Sequence, residues 1–233
     1  PAGPGARFPH ARNRTGTPVI ERVLPPGVGT AWTADDSDEP LFPEEAALVE
    51  GAVPFRRREF ATGRHCARLA LVRIGVPATA ITTGDRGQPL WPDGIVGSIT
   101  HCAGYRAAAA APRDRLRAIG IDAEPHRPLP AEVTDMVLLP EEQAHLARLA
   151  AADPAVHWPA IAFSAKESLY KAWFTLTERW LGFHDARLRF DRDGSFTAEI
   201  RIAAHTIEGT RVPPFAGNWH TDGSVIITAV TAE

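Results

Sequence analysis

The spacing of apolar positions along the chain predicts four helices. In each of these stretches apolar residues recur three and four positions apart, which is the period that places them on one helical face. The third stretch opens with a proline and two glutamates, which suit the first turn of a helix. The predicted helices cover residues 43–50, 54–75, 140–151 and about 163–177.

Shorter apolar runs, separated by turns that contain glycine or aspartate, predict strands. The first two runs are expected to pair as antiparallel neighbours, and the third ends at a proline. The predicted strands cover residues 94–101, 105–111, 117–125, 185–190, 195–202 and 225–230.

Helices precede strands in both halves of the chain, so the sequence predicts an α+β fold with two lobes of comparable size. The division is expected near residue 115, with an N-terminal lobe over 19–115 and a C-terminal lobe over 116–233. Residues 1–18 are rich in Pro, Gly and Arg without apolar periodicity, and we predict no regular structure for them.

Composition narrows the class of protein. The 233 residues are 44% hydrophobic and 23% charged, enough apolar material for a core. No run approaches the roughly 20 apolar residues of a membrane span, and a formal charge of −3 argues against nucleic-acid binding. Because two cysteines, Cys66 and Cys102, cannot form a disulfide framework, a reducing, cytoplasmic setting is expected.

Arginine supplies almost all of the positive charge in this chain. Of the 25 lysines and arginines, only Lys166 and Lys171 are lysine, and they lie five positions apart. Codon bias could leave two lysines together by accident. The alternative, which we favour, is that both positions require a compact ammonium group that a guanidinium cannot replace.

Acidic residues near these lysines suggest a cation site. Asp122 and Glu124 alternate along a predicted strand and so share one face, although a solvated strand end would look the same. Paired carboxylates suit Mg²⁺ that also binds substrate phosphate. Glu167 and Lys171 are four apart on a helix and close enough to pair. A helix cap formed by Ser164 and Glu167, or a surface ion pair, would explain that spacing equally well.

Arginines on the helix predicted over 54–75 suggest an anion site. Arg64 and Arg68 repel at a spacing of four unless an anion neutralises them, and Gly63 is costly in a helix unless another group approaches its backbone. A solvated basic face is the equally weighted alternative. His101 ends a predicted strand and could lie near a phosphate or be structural. Zinc binding by the two His-Cys dipeptides is disfavoured by the ligand spacing.

Three segments, read in order, carry a family resemblance: GSITH at 97–101, GIDAEP at 120–125 and FSAKESLYKAW at 163–173. Together they closely resemble the 4′-phosphopantetheinyl transferases, in particular the monomeric, double-length class of actinobacterial type. That class serves carrier proteins of siderophore, nonribosomal-peptide and polyketide synthesis. The resemblance covers roughly residues 50–185 and implies two similar α+β lobes that form a pseudo-dimer with the site between them.

The resemblance implies a reaction and a set of roles. Such enzymes move phosphopantetheine from coenzyme A to a serine of an apo acyl or peptidyl carrier protein, with Mg²⁺ or alternatively Mn²⁺, and release 3′,5′-ADP. The implied metal ligands are Asp122, Glu124 and Glu167. The implied catalytic residues are Glu167 and Lys171. The implied coenzyme A contacts are Arg56, Arg64, Arg86, His101 and Lys166.

One position departs from the family pattern, and two other functions stay open. Ala123 lies between the strand acids where some members carry a polar residue, and we expect a water to fill the space. A Mg²⁺-dependent pyrophosphohydrolase would use the same acids with water as the nucleophile. A non-catalytic module that binds coenzyme A or a carrier protein is the other alternative, against which the intact acids and Lys171 argue.

Overall fold

The computed structural model describes residues 20–202, 206–207, 210–211 and 215–233. The prediction for residues 1–18 lies outside this range. The helices of the described residues are α1 (Pro43–Ala47), α2 (Pro54–Arg73), α3 (Ala131–Val137), α4 (Pro140–Ala152) and α5 (Trp158–Thr177). The strands are β1 (Gly29–Thr33), β2 (Thr82–Thr83), β3 (Pro89–Leu90), β4 (Ile95–Cys102), β5 (Tyr105–Pro112), β6 (Ala118–Pro125), β7 (Ala186–Phe190), β8 (Ser195–Ile200), β9 (Thr206–Ile207), β10 (Thr210–Arg211), β11 (Phe215–Thr221) and β12 (Val225–Ala232).

The N-terminal half is a three-stranded antiparallel sheet in the order β1-β5-β4, covered on one face by α2. Its central strand β5 carries five consecutive buried alanines, residues 107–111. Alternate alanines face α2 on one side and the second half of the protein on the other. Small side chains on both faces of one strand let both layers approach closely.

The C-terminal half is a five-stranded antiparallel sheet in the order β6-β12-β11-β8-β7, with α5 against its face. Gly120 permits this packing, because a Cβ atom there would lie 1.9 Å from the carbonyl oxygen of Ser168 on α5. Alternate side chains of β6 point to opposite faces of the sheet. Ala118, Gly120 and Asp122 face α5, whereas Ile119 and Ile121 enter the apolar core shared with β5.

Two hydroxyl groups join the halves where β4 runs beside β6. The Ser98 hydroxyl accepts a hydrogen bond from the Ile121 amide at 3.1 Å, and the Thr100 hydroxyl accepts one from the Ala123 amide at 2.9 Å. These side chains satisfy edge N–H groups of β6 that would otherwise be buried without a partner. The segment that links the two halves, residues 113–117, is short.

The α+β class predicted from the sequence is confirmed, with differences at particular elements. The helix predicted from about residue 163 begins at Trp158. Ser164 consequently lies inside α5 and its hydroxyl contacts that of Thr228 at 3.0 Å, so the alternative interpretation of Ser164 and Glu167 as a helix cap is wrong. Helix α3 and two groups of strands were not predicted from the sequence: β1 and β11, and the two-residue strands β2, β3, β9 and β10. Within the described residues, no helix combines the length and apolar character needed to cross a bilayer.

Candidate active site

Two elements bring the predicted acids together. Asp122 and Glu124 occupy the same face of β6, and Glu167 lies on α5, which packs against that face. Burial raises the pKa of both Glu124 and Glu167, and the charge of Asp122 raises both further, which places the three carboxyl groups in one electrostatic environment. We call these three residues the acidic edge.

Lys171 supplies positive charge to the acidic edge. Its ammonium group donates to Asp122 Oδ1 at 2.8 Å and to the carbonyl oxygen of Ile121 at 2.9 Å. The sequence spacing suggested a pair with Glu167, but the ion pair of Lys171 in the described structure is with Asp122. The interaction therefore spans α5 and β6 and is not a local helical pair.

Burial and mutual repulsion disturb the titration of these carboxyls. Burial, followed by the charges of Asp122 and Glu167, raises the pKa of Glu124 to about 7 in spite of Lys171. Burial and then Asp122 raise the pKa of Glu167. A carboxyl group with a raised pKa is a better base near neutral pH, and a divalent cation would relieve the repulsion.

Donor chemistry at the acidic edge fits a hard divalent cation. Asp122 Oδ2 is buried without a hydrogen-bond partner, and all the available ligands are carboxylate oxygens. Across the described residues, no three His, Cys, Asp or Glu side chains are already clustered as a bound metal would require. The edge thus provides suitable ligands and an unsatisfied oxygen, with Lys171 as its present counter-charge.

A cleft of about 510 Å³ opens beside this edge, between the two halves of the protein. One wall comes from the β2–β3 hairpin and the start of β4, and the other from α5. Glu167 and Lys171 lie on the α5 wall together with Tyr170, and Arg86 lies on the hairpin wall. A ligand in the cleft would contact residues from both halves.

His101 and Arg56 meet at an acid that the sequence analysis missed. Glu59, on α2, lies with its Oε1 atom 2.9 Å from His101 Nδ1 and pairs with Arg56. Burial lowers the pKa of His101, and Glu59 opposes that change. The only local signal for Glu59 is an acid that follows three arginines, because its contact with His101 is made across the fold.

Arg64 and Arg68 do not form the solvated basic face that was one reading of the sequence. Both are buried. Arg68 pairs with Glu45 at 2.7 Å, so the anion that neutralises it is a carboxylate of the protein. Arg64 donates to the Ile81 carbonyl and the Thr83 hydroxyl, and burial lowers its pKa to about 10.

The group that approaches Gly63 is a side chain of the protein. A Cβ atom at Gly63 would lie 3.2 Å from Ile99 Cγ2, so this glycine is explained by the packing of α2 on β4. The structure consequently offers no support from Gly63 for a phosphate on this part of α2.

Lys166 does not join the acidic edge. Its ammonium group is buried and donates to Glu142 at 2.8 Å, to the Phe183 carbonyl at 2.6 Å and to the Ala186 carbonyl at 3.2 Å. These bonds use all three donors of an ammonium group. The structure thus gives Lys166 a role in joining α5 to α4 and β7, and does not support its predicted contact with coenzyme A.

Ala123 also differs from the sequence prediction. It is buried in the apolar core shared with β5, on the face of β6 opposite the acids. No space beside the acidic edge is left by its small side chain, so the expectation that a water fills such a space is wrong.

Two models of known protein families match most of this chain. A model described as the 4′-phosphopantetheinyl transferase N-terminal domain matches residues 44–111, and a model of the 4′-phosphopantetheinyl transferase superfamily matches residues 118–225. The chain belongs to the 4′-phosphopantetheinyl transferase superfamily, which confirms the resemblance drawn from its motifs.

Individual relatives agree with this assignment. The chain is 49% identical over 222 residues to 4′-phosphopantetheinyl transferase PptT of Mycobacterium tuberculosis, covering 91% of this chain and 97% of the relative. It is 50% identical over 217 residues to 4′-phosphopantetheinyl transferase Svp of Streptomyces mobaraensis, covering 91% and 88%. Enterobactin synthase component D of Salmonella typhi is 34% identical over 188 residues, covering 76% and 72%.

Proposed function

We propose that this protein transfers the 4′-phosphopantetheine group of coenzyme A to a serine of an apo acyl or peptidyl carrier protein and releases 3′,5′-ADP. One observation carries the proposal most directly. Glu167 and Lys171 line a cleft between the two halves, and Lys171 is bonded to Asp122 of the same acidic edge. Base, counter-charge and ligand space are therefore adjacent.

The protein offers several cations that could contact the negatively charged phosphates of coenzyme A. Arg86 on the hairpin wall of the cleft is suited to the nucleotide end of the donor. Arg56 and His101, which meet at Glu59, together with Arg64 are the proposed contacts of the 3′-phosphate. Burial lowers the pKa of His101 and the charge of Lys171 lowers it further, which supports the proposal that these cations and the acidic edge act on one molecule.

Transfer then requires two actions from this protein, which accompany the attack of the carrier serine. The serine oxygen attacks the β-phosphorus of coenzyme A, forming one P–O bond as the bond to the α-phosphate oxygen breaks. Glu167, whose pKa is raised by burial and Asp122, accepts the serine proton. Lys171 stabilises the negative charge that develops on the departing 3′,5′-ADP.

Mg²⁺, or alternatively Mn²⁺, completes the proposal. Asp122, Glu124 and Glu167 would hold the ion, and the unpartnered Asp122 Oδ2 supports this choice. When bound, the ion would neutralise pyrophosphate charge and make the phosphorus more electrophilic.

The setting of the reaction is also proposed. The free thiols of Cys66 and Cys102 support a reducing compartment, which we take to be the cytoplasm. We further propose that the protein acts as a monomer of two similar lobes divided near residue 115. Its partners would be carrier proteins of siderophore, nonribosomal-peptide or polyketide synthesis, in keeping with the relatives.

Intact-protein mass spectrometry tests the proposal. An apo carrier protein is incubated with the enzyme and coenzyme A, with Mg²⁺ in one sample and EDTA in the other. We expect the carrier to gain the mass of one phosphopantetheine only with Mg²⁺, and 3′,5′-ADP to appear in equal amount. Coenzyme A cleavage without carrier modification would identify a pyrophosphohydrolase. Binding with neither product would identify a non-catalytic module.

A further inference from the structure

Glu59 differs from Glu45 and Glu142, two other buried acids of the described structure, in the partners that it holds. Glu45 accepts hydrogen bonds from main-chain amides and pairs with Arg68, whose side chain is 9% exposed. Glu142 likewise accepts from main-chain amides and pairs with Lys166, which is 2% exposed. Both acids join segments of the core.

The charged partners of Glu59 are side chains that reach solvent. Its own side chain is 10% exposed, but Arg56 is 61% exposed and His101 is 40% exposed. A buried acid that holds two exposed cations does little to join core segments. Its effect is to fix where those cations point.

The contact with His101 determines which ring nitrogen is left for a ligand. Since Nδ1 lies 2.9 Å from Glu59 Oε1, the nitrogen left for a ligand is Nε2. The charges facing the ring come from three elements: Glu59 and Arg56 on α2, Arg106 on β5 and Lys171 on α5. Burial lowers the pKa of His101, Glu59 opposes that change, and the three cations lower the pKa further. Only the protonated ring can donate from Nε2 to a phosphate while it also donates from Nδ1.

We propose that Glu59 is a positioning residue which acts through His101, orienting its ring so that Nε2 donates to the 3′-phosphate of coenzyme A. Glu59 thereby contributes to the preference for coenzyme A over 3′-dephospho-coenzyme A. This inference rests on the proposed function, because it takes His101 as a contact of the 3′-phosphate. Arg56 is held by the same acid but is not required for this effect.

Steady-state transfer with both donors tests the proposal. Glu59→Gln keeps the shape of the side chain and removes its charge. We expect its KM for coenzyme A to rise roughly 5- to 20-fold, the loss typical of a charge-assisted hydrogen bond, with kcat changed less than about 2-fold. The KM for 3′-dephospho-coenzyme A should change less than about 2-fold. Glu199→Gln, which alters an exposed acid paired with Arg187, is the matched control and should affect neither donor.

A double-mutant cycle separates positioning from general support of the fold. His101→Ala should raise the KM for coenzyme A by itself, and adding Glu59→Gln should then change it less than about 2-fold. Additive losses, or equal losses with both donors, would overturn the proposal.

A second variant and the activity of the wild-type enzyme distinguish failure of the Glu59 role from other failures. If Glu59→Gln does not fold, as judged by its thermal melt, Glu59→Asp carries the same comparison, because it keeps the charge and withdraws the oxygen from Nδ1. If the wild-type enzyme modifies no carrier with either donor, the proposed function fails. If the wild-type enzyme prefers coenzyme A and Glu59→Gln leaves that preference unchanged, only the role of Glu59 fails.

Discussion

Replacing Lys171 by methionine should destabilise the protein through Asp122. The ammonium group of Lys171 bonds Asp122 Oδ1 at 2.8 Å, and the Asp122 side chain is 9% exposed. Its second oxygen has no hydrogen-bond partner. Methionine fills similar space without charge, so Lys171→Met leaves a buried carboxylate with only the weak contact of Thr100 at 3.4 Å.

The size of the effect follows from burial. Removing one partner of a buried ion pair costs about 3–5 kcal/mol. Because Lys171 is 29% exposed, solvent screens part of the interaction and we expect the lower end, about 3 kcal/mol. For a protein of this size that loss corresponds to a fall in Tm of about 6–12 °C.

Differential scanning calorimetry in EDTA at pH 7.5 measures this effect. Asp122→Asn, added to Lys171→Met, should restore at least half of the lost Tm because it removes the unpaired charge. Arg187→Met is the matched control. It removes the cation of an ion pair whose members are 50% and 52% exposed, and it should lower Tm by less than about 2 °C.

Either of two results would show that Lys171 does not stabilise the protein through Asp122. The first is a Tm for Lys171→Met within about 2 °C of the wild-type value. The second is a double variant no more stable than Lys171→Met alone, which would show that the cost does not arise from Asp122.

Lys171→Arg should lower the transfer rate by about 10²-fold with a smaller effect on coenzyme A binding, as measured by steady-state kinetics, because a planar guanidinium cannot occupy the ammonium position. Asp122→Ala and Glu124→Ala should each abolish Mg²⁺-dependent transfer while the circular dichroism spectrum stays that of a folded protein; near-normal turnover in either would exclude the proposed metal role. Glu124→Gln should stabilise the metal-free protein by about 1–2 kcal/mol at pH 8 and should have no effect at pH 4.5. The reason is that the raised pKa of this half-exposed acid removes stability as pH rises through about 7. A gain in stability that does not vary with pH in calorimetry would contradict this sign. Arg64→Ala should lower Tm by leaving the Ile81 carbonyl unpaired and should raise KM for coenzyme A more than for 3′-dephospho-coenzyme A; equal KM changes for both donors would exclude a contact with the 3′-phosphate.

Elements with a strong apolar period were predicted closely from the sequence. Helix α2 and the antiparallel pair β4–β5 lie where the sequence predicted them. Strand β11 was missed because Gly217 and Asn218 at its centre are poor strand formers. Tertiary packing requires that glycine, since a Cβ atom there would lie 2.3 Å from Phe196 Cζ. Contacts of this kind are invisible in a local pattern.

Some features of the candidate active site could likewise be predicted from the sequence, and others could not. The alternation of Asp122 and Glu124 follows from strand geometry alone, and it was predictable. The partners of the two lysines were not, because they depend on which elements flank α5. Lys171 faces β6, whereas Lys166, about 140° around the helix, faces α4. Composition singled out both residues, but only the fold distinguishes their roles.

The hydroxyl bonds between β4 and β6 have a consequence for motion. Separating the two halves would leave the amides of Ile121 and Ala123 unpaired and would at the same time withdraw Thr100 from Asp122. A hinge at this boundary would therefore break two buried hydrogen bonds each time it opened, whereas the acidic edge lies on β6 and α5 of one half and would stay together. Both amides should accordingly exchange with solvent deuterium only as slowly as the core unfolds, and donor and carrier must enter a cleft whose walls keep a fixed separation.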